Sequence, residues 1–155
     1  MKRIRLFMIV CLSVFLLAAL PQVAKAASTE APEIRVLLNG SSTASSYTLT
    51  VFKGKYDIVF QNNPTVVCAT ISEGNSYAFT RGDGLMAVPV DKETALFRFN
   101  NITYRGAFKT MVNGAYYYAI NIVDVEQYLY GVVGKEIGYG YHIEATKAQA
   151  VAARS

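Results

Sequence analysis

The stretch "AYYYAINIVDVEQYLYGVVGKEIG", residues 115–138, decides the fold class because the spacing of its apolar residues changes partway along. As far as Val123, the aromatic and β-branched residues follow the pattern of a strand. Beyond Asp124, the apolar residues recur at intervals of three and four, as on one face of a helix: Val125, Tyr128, Leu129, Val132 and Val133. Asp124 is a good helix N-cap, and Gln127 completes a capping-box-like pair. The stretch therefore predicts a strand that runs directly into a helix.

Residues 33–123 read as a run of short strands separated by turn residues. Residues 47–60 alternate well enough to predict a hairpin that turns near Gly54. The Asn-Gly pair at 113–114 predicts a second hairpin. Pro89 predicts that its strand lies at a sheet edge or is irregular, because proline donates no ladder hydrogen bond.

A second helix is predicted from Ile143, with Glu144 in its first turn, where negative charge is favoured. Three small residues on this helix are expected to pack closely on a neighbour: Ala145, Ala148 and Ala152. Gly131 in the first helix indicates close packing, or the close approach of another molecule. No residue caps the second helix before Ser155. The fold class predicted is α+β, with a β-rich N-terminal part followed by a helix pair, in a domain truncated at its C-terminus.

The N-terminus has the features of a secretory signal peptide. A basic start is followed by the apolar run at 6–20 and by small residues around Ala26, so cleavage is predicted after residue 26. The alternative is an uncleaved membrane anchor, although the run is short for a bilayer span. The predicted organisation is a signal peptide at 1–26, a linker at 27–33 and an incomplete domain at 34–155. The predicted location is secreted or in the cell envelope, outside the cytoplasmic membrane.

The charge and the cysteines exclude several classes of protein. The full chain carries 15 basic and 11 acidic residues. Four of the basic residues and none of the acidic ones lie in the signal, so the mature chain is near neutral and no nucleic-acid partner is expected. Cys68 is expected to be a buried thiol in a strand, or to pair with a partner outside this stretch. His142 has no Cys or His at metal-ligand spacing, so no cofactor is predicted in this segment.

The C-terminal residues "NIVDVEQYLYGVVGKEIG…HIEATKAQAVAARS", 121–155, resemble the central signature of the SpoIID/LytB family. The matching positions fall in both predicted helices and are Glu126, Tyr128, Leu129, Gly131, Val132, Val133, Glu136, Glu144, Ala145, Lys147, Ala148, Gln149, Ala150, Val151, Ala152, Ala153 and Arg154. The "YRG" at 104–106 also resembles the family. Ile137 stands where methionine is usual, and Gly138 stands where proline is common. The family's domain continues beyond this point, and some members are described with metal-ligand positions in that downstream half.

The resemblance implies work on peptidoglycan. The sporulation member of the family is a lytic transglycosylase that acts on glycan strands, and other members are described as enhancers of a cell-wall amidase. Glu136 maps onto the family's catalytic acid. Two functions therefore stay open: glycan cleavage, or a non-catalytic protein that binds the cell wall and stimulates an amidase. The expected partners are glycan strands and a cell-wall amidase, with a membrane contact only if the signal stays uncleaved.

The residue chemistry is compatible with glycan cleavage. A carboxylic acid can protonate the leaving oxygen, and the negative end of a helix dipole near Glu136 favours the protonated form. Lys135 would favour the ionised form of Glu136 instead, if its ammonium group reaches the site. A lytic transglycosylase can work with one carboxyl group because the muramic 6-hydroxyl is the nucleophile. Gln149, Arg154 and Tyr141 are the expected substrate-binding residues, and Glu126 is interpreted as structural.

Overall fold

A computed structural model of the chain describes residues 32–39, 42–138 and 140–154. The predicted signal peptide and most of the predicted linker lie outside these residues. The described part contains ten strands: β1 Glu33–Leu37, β2 Ser46–Lys53, β3 Lys55–Phe60, β4 Asn63–Ser72, β5 Ser76–Thr80, β6 Leu85–Pro89, β7 Leu96–Phe99, β8 Ile102–Tyr104, β9 Ala107–Asn113 and β10 Tyr116–Asp124. Two helices follow, α1 Val125–Ile137 and α2 Ile143–Arg154. The prediction of a β-rich part followed by a helix pair is therefore confirmed.

The strands form two antiparallel sheets that share one core. The six-stranded sheet has the order β1-β10-β9-β6-β3-β4, and the four-stranded sheet has the order β5-β2-β7-β8. Alternate residues of strands in both sheets point into the shared core, and its largest fully buried side chains include Leu49, Tyr56, Phe79, Phe97, Phe108 and Tyr117. Such alternation is the expected pattern for two sheets packed face to face.

The chain changes sheets at Gly54, so the hairpin predicted for residues 47–60 is wrong. β2 pairs with β5 and β7, whereas β3 pairs with β4 and β6. Gly54 has a φ of +78°, and a Cβ on it would lie 3.3 Å from Ala95 Cα. The two strands bury alternate residues because they face the same core from opposite sheets. The alternation therefore predicted both strands correctly, but it contained no information about their partners.

The edge position predicted for the strand of Pro89 and the buried position predicted for Cys68 are both wrong, whereas a partner for Cys68 outside this stretch stays a prediction. β6 lies inside the sheet between β3 and β9, and Pro89 is tolerated because the pairing with β9 involves only Met86 and Ala87. Cys68 is exposed rather than buried. It lies on β4, the edge strand, where two register shifts interrupt the pairing with β3. A strand at a sheet edge need not bury the apolar residues that its sequence contains.

The predicted turn at Gly114 and the predicted N-cap at Asp124 are confirmed. Gly114 connects β9 to β10 as a tight hairpin. Asp124 caps α1 by accepting hydrogen bonds from the backbone N–H groups of Glu126 and Gln127. At the start of α2, His142 Nδ1 accepts from Glu144 N at 3.3 Å. Over the residues described, neither helix has the length and apolarity needed to cross a bilayer.

The alanine stripe on α2 does not pack as predicted. Ala145, Ala148 and Ala152 are exposed, and the half-buried positions are Thr146, Gln149, Ala150 and Ala153. Two polar contacts join α2 to α1, since Gln149 bonds to Glu136 and Arg154 pairs with Glu126.

Candidate functional site

A cavity of about 500 Å³ lies between α1, the β7–β8 region and the end of β10. We call it the α1 groove. Its chemically informative lining residues are Tyr104, Arg105, Tyr128, Tyr130, Lys135 and Glu136. A concave surface with aromatic side chains and a few polar groups is typical of a ligand-binding site.

Glu136 lies in the last turn of α1, where the sequence analysis placed it. Its side chain is exposed and lines the α1 groove, and Gln149 Nε2 donates a hydrogen bond to its Oε2 at 2.5 Å. Among the groove residues that the structure describes, Glu136 is the one carboxylate. The carboxyl group is therefore held by a neighbouring helix while it stays open to a ligand in the groove.

The other two predicted substrate-binding residues lie elsewhere. Tyr141 and Arg154 line a second cavity of about 460 Å³ between the two helices, here called the interhelical cleft. Arg154 Nη2 donates to Glu126 Oε1, and both side chains are about half exposed. Tyr130, which is 75% exposed, borders both cavities. The predicted set is thus divided, with Gln149 beside the candidate acid and the other two residues beyond α1.

Arg105 lines the α1 groove although the sequence analysis assigned it no role. Its backbone is fixed because the buried Asn121 donates from Nδ2 to Arg105 O at 2.7 Å and to Ala107 O at 3.0 Å. The guanidinium is fixed as well, since Arg105 Nη1 donates to Glu93 O at 2.7 Å. The signal that could have found this residue is the "YRG" at 104–106.

Tyr104 contributes an aromatic wall that is anchored in the core. Its ring stacks on Phe97 with the centroids 5.5 Å apart. Burial raises the pKa of Tyr104, so its phenol stays neutral and can donate a hydrogen bond at ordinary pH. This side of the groove therefore offers a rigid ring with a polar tip, a combination that suits contact with polar ligands.

Gly131 faces open space in the groove, because a Cβ on it would meet no atom within 4 Å. The sequence left two explanations for Gly131, close packing or the approach of another molecule. Close packing on a described residue is excluded, so the approach of another molecule is the explanation that is left. Gly131→Ala should stabilise the protein by up to about 1 kcal/mol, because alanine favours a helix over glycine. Thermal unfolding would measure the change as a small rise in the melting temperature.

The matched control for this substitution is Gly138→Ala. Gly138 also has open space around it, but its φ is +74° at the end of α1. The same added methyl group should therefore lower the melting temperature there. A fall in both variants would contradict the helical, unpacked environment described for Gly131.

In the described residues, no group of three or more His, Cys, Asp and Glu side chains is close enough to hold a metal ion. Gln149 instead bonds to Glu136, and Arg105 and Lys135 line the same groove. This arrangement holds the carboxyl group of Glu136 at the side of an aromatic groove that Arg105 and Lys135 also line.

Comparison with known proteins links this site to one family. The model of the SpoIID family, described as stage II sporulation protein, matches residues 113–155. The matched segment contains β10, both helices and Glu136. No curated protein and no solved structure matches the chain. Residues 113–155 are therefore similar to the SpoIID family, and the match supports the family predicted from the motif.

Proposed function

We propose that this protein cleaves the glycan strands of peptidoglycan as a lytic transglycosylase, with Glu136 as the catalytic acid. The observation that carries the proposal is the position of Glu136. It lies within the family match, lines the α1 groove and is held by Gln149 from the next helix. The description of the matching family, stage II sporulation protein, supports a role in sporulation.

The proposed reaction needs one acid and no activated water. Protonated Glu136 donates its proton to the glycosidic oxygen as the bond from that oxygen to the muramic C1 breaks. The 6-hydroxyl of the same muramic residue attacks C1, and the Glu136 carboxylate accepts the hydroxyl proton. The products are a 1,6-anhydromuramic end and a new non-reducing end, and the acid is regenerated.

The groove has features that suit this chemistry. Glu136 is the one carboxylate among its described lining residues, whereas ordinary hydrolysis usually employs two carboxyl groups on either side of the bond. Tyr104, Tyr128 and Tyr130 offer ring faces and hydroxyl groups to a sugar chain. Peptidoglycan lies outside the cytoplasmic membrane, so the proposal also depends on export by the signal predicted at residues 1–26.

The direct test is the identity of the products. The full chain would be incubated with purified glycan strands from which the peptides have been removed, and the fragments analysed by mass spectrometry. We expect fragments that end in 1,6-anhydromuramic acid, which weigh one water less than hydrolysis products. Reducing ends would exclude the transglycosylase mechanism, and an unchanged strand would exclude cleavage.

The alternative is a non-catalytic cell-wall protein that enhances an amidase. The exposed aromatic rings of Tyr130 and Tyr141 favour this function, because tyrosine is enriched where proteins bind one another. Under this alternative the strands stay intact, and release of peptides by a purified N-acetylmuramoyl-L-alanine amidase rises when the chain is added. Unchanged amidase activity would exclude it.

A further inference from the structure

The charged residues that line the α1 groove do not balance one another. In the described part of the chain they are Arg105, Lys135 and Glu136. Two cations therefore accompany one carboxyl group in a cavity of about 500 Å³. A ligand that supplies an anion at this place would therefore be favoured.

Arg105 is the better placed of the two cations for recognition. It comes from the β8–β9 loop, opposite α1, and it is half-buried. Asn121 holds its backbone, and Glu93 O accepts from one of its five N–H donors. The side chain that carries the remaining donors is already held by this hydrogen bond, so less conformational entropy is lost when it binds a ligand in the groove. Lys135 is exposed on α1 and adds a second positive charge.

We infer that Arg105, assisted by Lys135, binds the lactyl carboxylate of N-acetylmuramic acid and so selects the muramic sugar in the α1 groove. This inference rests on the proposed function. A glycan strand alternates N-acetylglucosamine with N-acetylmuramic acid, and the two sugars differ by the lactyl ether on O3. When no peptide is attached, that ether ends in a carboxylate. A guanidinium and a carboxylate form charge-assisted hydrogen bonds that are stronger than neutral ones.

Recognition of the lactyl group would place the muramic sugar correctly for the reaction. The muramic residue must supply both the C1 that is attacked and the 6-hydroxyl that attacks it. A strand shifted by one sugar would put N-acetylglucosamine beside Glu136 and leave Arg105 without an anion. Arg105 thus selects which sugar of the strand lies beside Glu136, in addition to increasing the affinity of the groove for the strand.

Equilibrium binding to two chemically matched glycans tests the inference. The full chain carrying Glu136→Gln, which slows turnover, would be titrated with a peptide-free hexasaccharide of alternating N-acetylglucosamine and N-acetylmuramic acid. The second ligand is the same hexasaccharide with its lactyl carboxylates converted to carboxamides. We expect at least about tenfold tighter binding of the carboxylate form, and a preference that weakens as salt is added.

Arg105→Gln should reduce this preference to less than about threefold, while the affinity for the carboxamide form stays unchanged. Arg105→Lys should retain part of the preference, and Lys135→Gln should lower it independently. The control variant is Arg98→Gln, because Arg98 lies on β7 against the Phe52 ring, 4.7 Å from its centroid, and does not line the groove. It should keep the full preference.

The outcomes separate this inference from the function on which it rests. If both hexasaccharides bind equally to the parent chain, or if Arg105→Gln keeps the preference, the inference is wrong while glycan binding stands. If Arg105→Gln loses both ligands equally, the arginine supports the groove and selects nothing. If neither ligand binds the parent chain, the proposed function fails together with the inference.

Discussion

Replacing Glu136 with glutamine should slow the formation of 1,6-anhydromuramic ends by roughly 10²- to 10⁴-fold, the range usually contributed by a general acid. Glutamine has nearly the same shape, and its carbonyl oxygen can still accept the hydrogen bond from Gln149. The variant therefore removes the acidic proton of residue 136 and keeps the shape of its side chain and its hydrogen bond. Initial rates on peptide-free glycan strands would measure the loss, with circular dichroism to verify the fold.

Glu144→Gln provides the matched control. Glu144 is an exposed carboxylate in the first turn of α2, paired with Lys147 at 2.8 Å, and it lines neither cavity. Its replacement should leave the rate within about twofold, because exposed ion pairs contribute little to stability. An equal loss of rate in the two variants, or no loss of rate in Glu136→Gln, would contradict the assignment of Glu136 as the catalytic acid.

Gly106→Ala should destabilise the protein by roughly 3 kcal/mol or more. Gly106 is buried and has a φ of +83°, and a Cβ on it would lie 2.3 Å from Ile122 O and 2.9 Å from Val123 Cβ. The nearest of these atoms belongs to the backbone of β10, so strand β10 itself would have to move. A loss of this size is a large share of the stability of an ordinary domain. Chemical denaturation would measure it.

Gly82→Ala separates the steric clash from the cost of the backbone conformation. Gly82 has almost the same φ, +86°, but a Cβ there would meet nothing within 4 Å. Alanine should cost about 1 kcal/mol at this position, from the backbone conformation alone. The difference between the two variants then reports the close approach of Gly106 to β10. Similar losses would show that this approach relaxes at little cost.

The sequence predicted local structure better than it predicted which strands lie side by side in the sheets. Asp124 was identified as a cap because capping is decided by residues two or three positions away. The change of sheet at Gly54 could not be predicted, because alternation indicates which side chains face a core and not which strand lies alongside. Cys68 was misplaced for the same reason, since only the sheet order shows that β4 is an edge strand.

The candidate site was predicted in part. Glu136 and Gln149 were both named from the sequence, and the structure brings them together across thirteen positions of chain. Arg105 was missed because it precedes Glu136 by 31 positions and reaches the groove only through the sandwich topology. Tyr141 and Arg154 were expected to bind substrate, and they line the interhelical cleft, whereas Glu136 lines the α1 groove.

The attachment of α2 to α1 determines how long Glu136 keeps its hydrogen bond from Gln149. No described side chain of α2 is fully buried, and Gln149 and Arg154 bond to α1 through exposed contacts. A helix held in this way can detach at a free-energy cost well below that of unfolding the sandwich. Glu136 would then alternate between a clamped state and a released one, so the lifetime of the helix pair would set the fraction of time during which the acid is aligned.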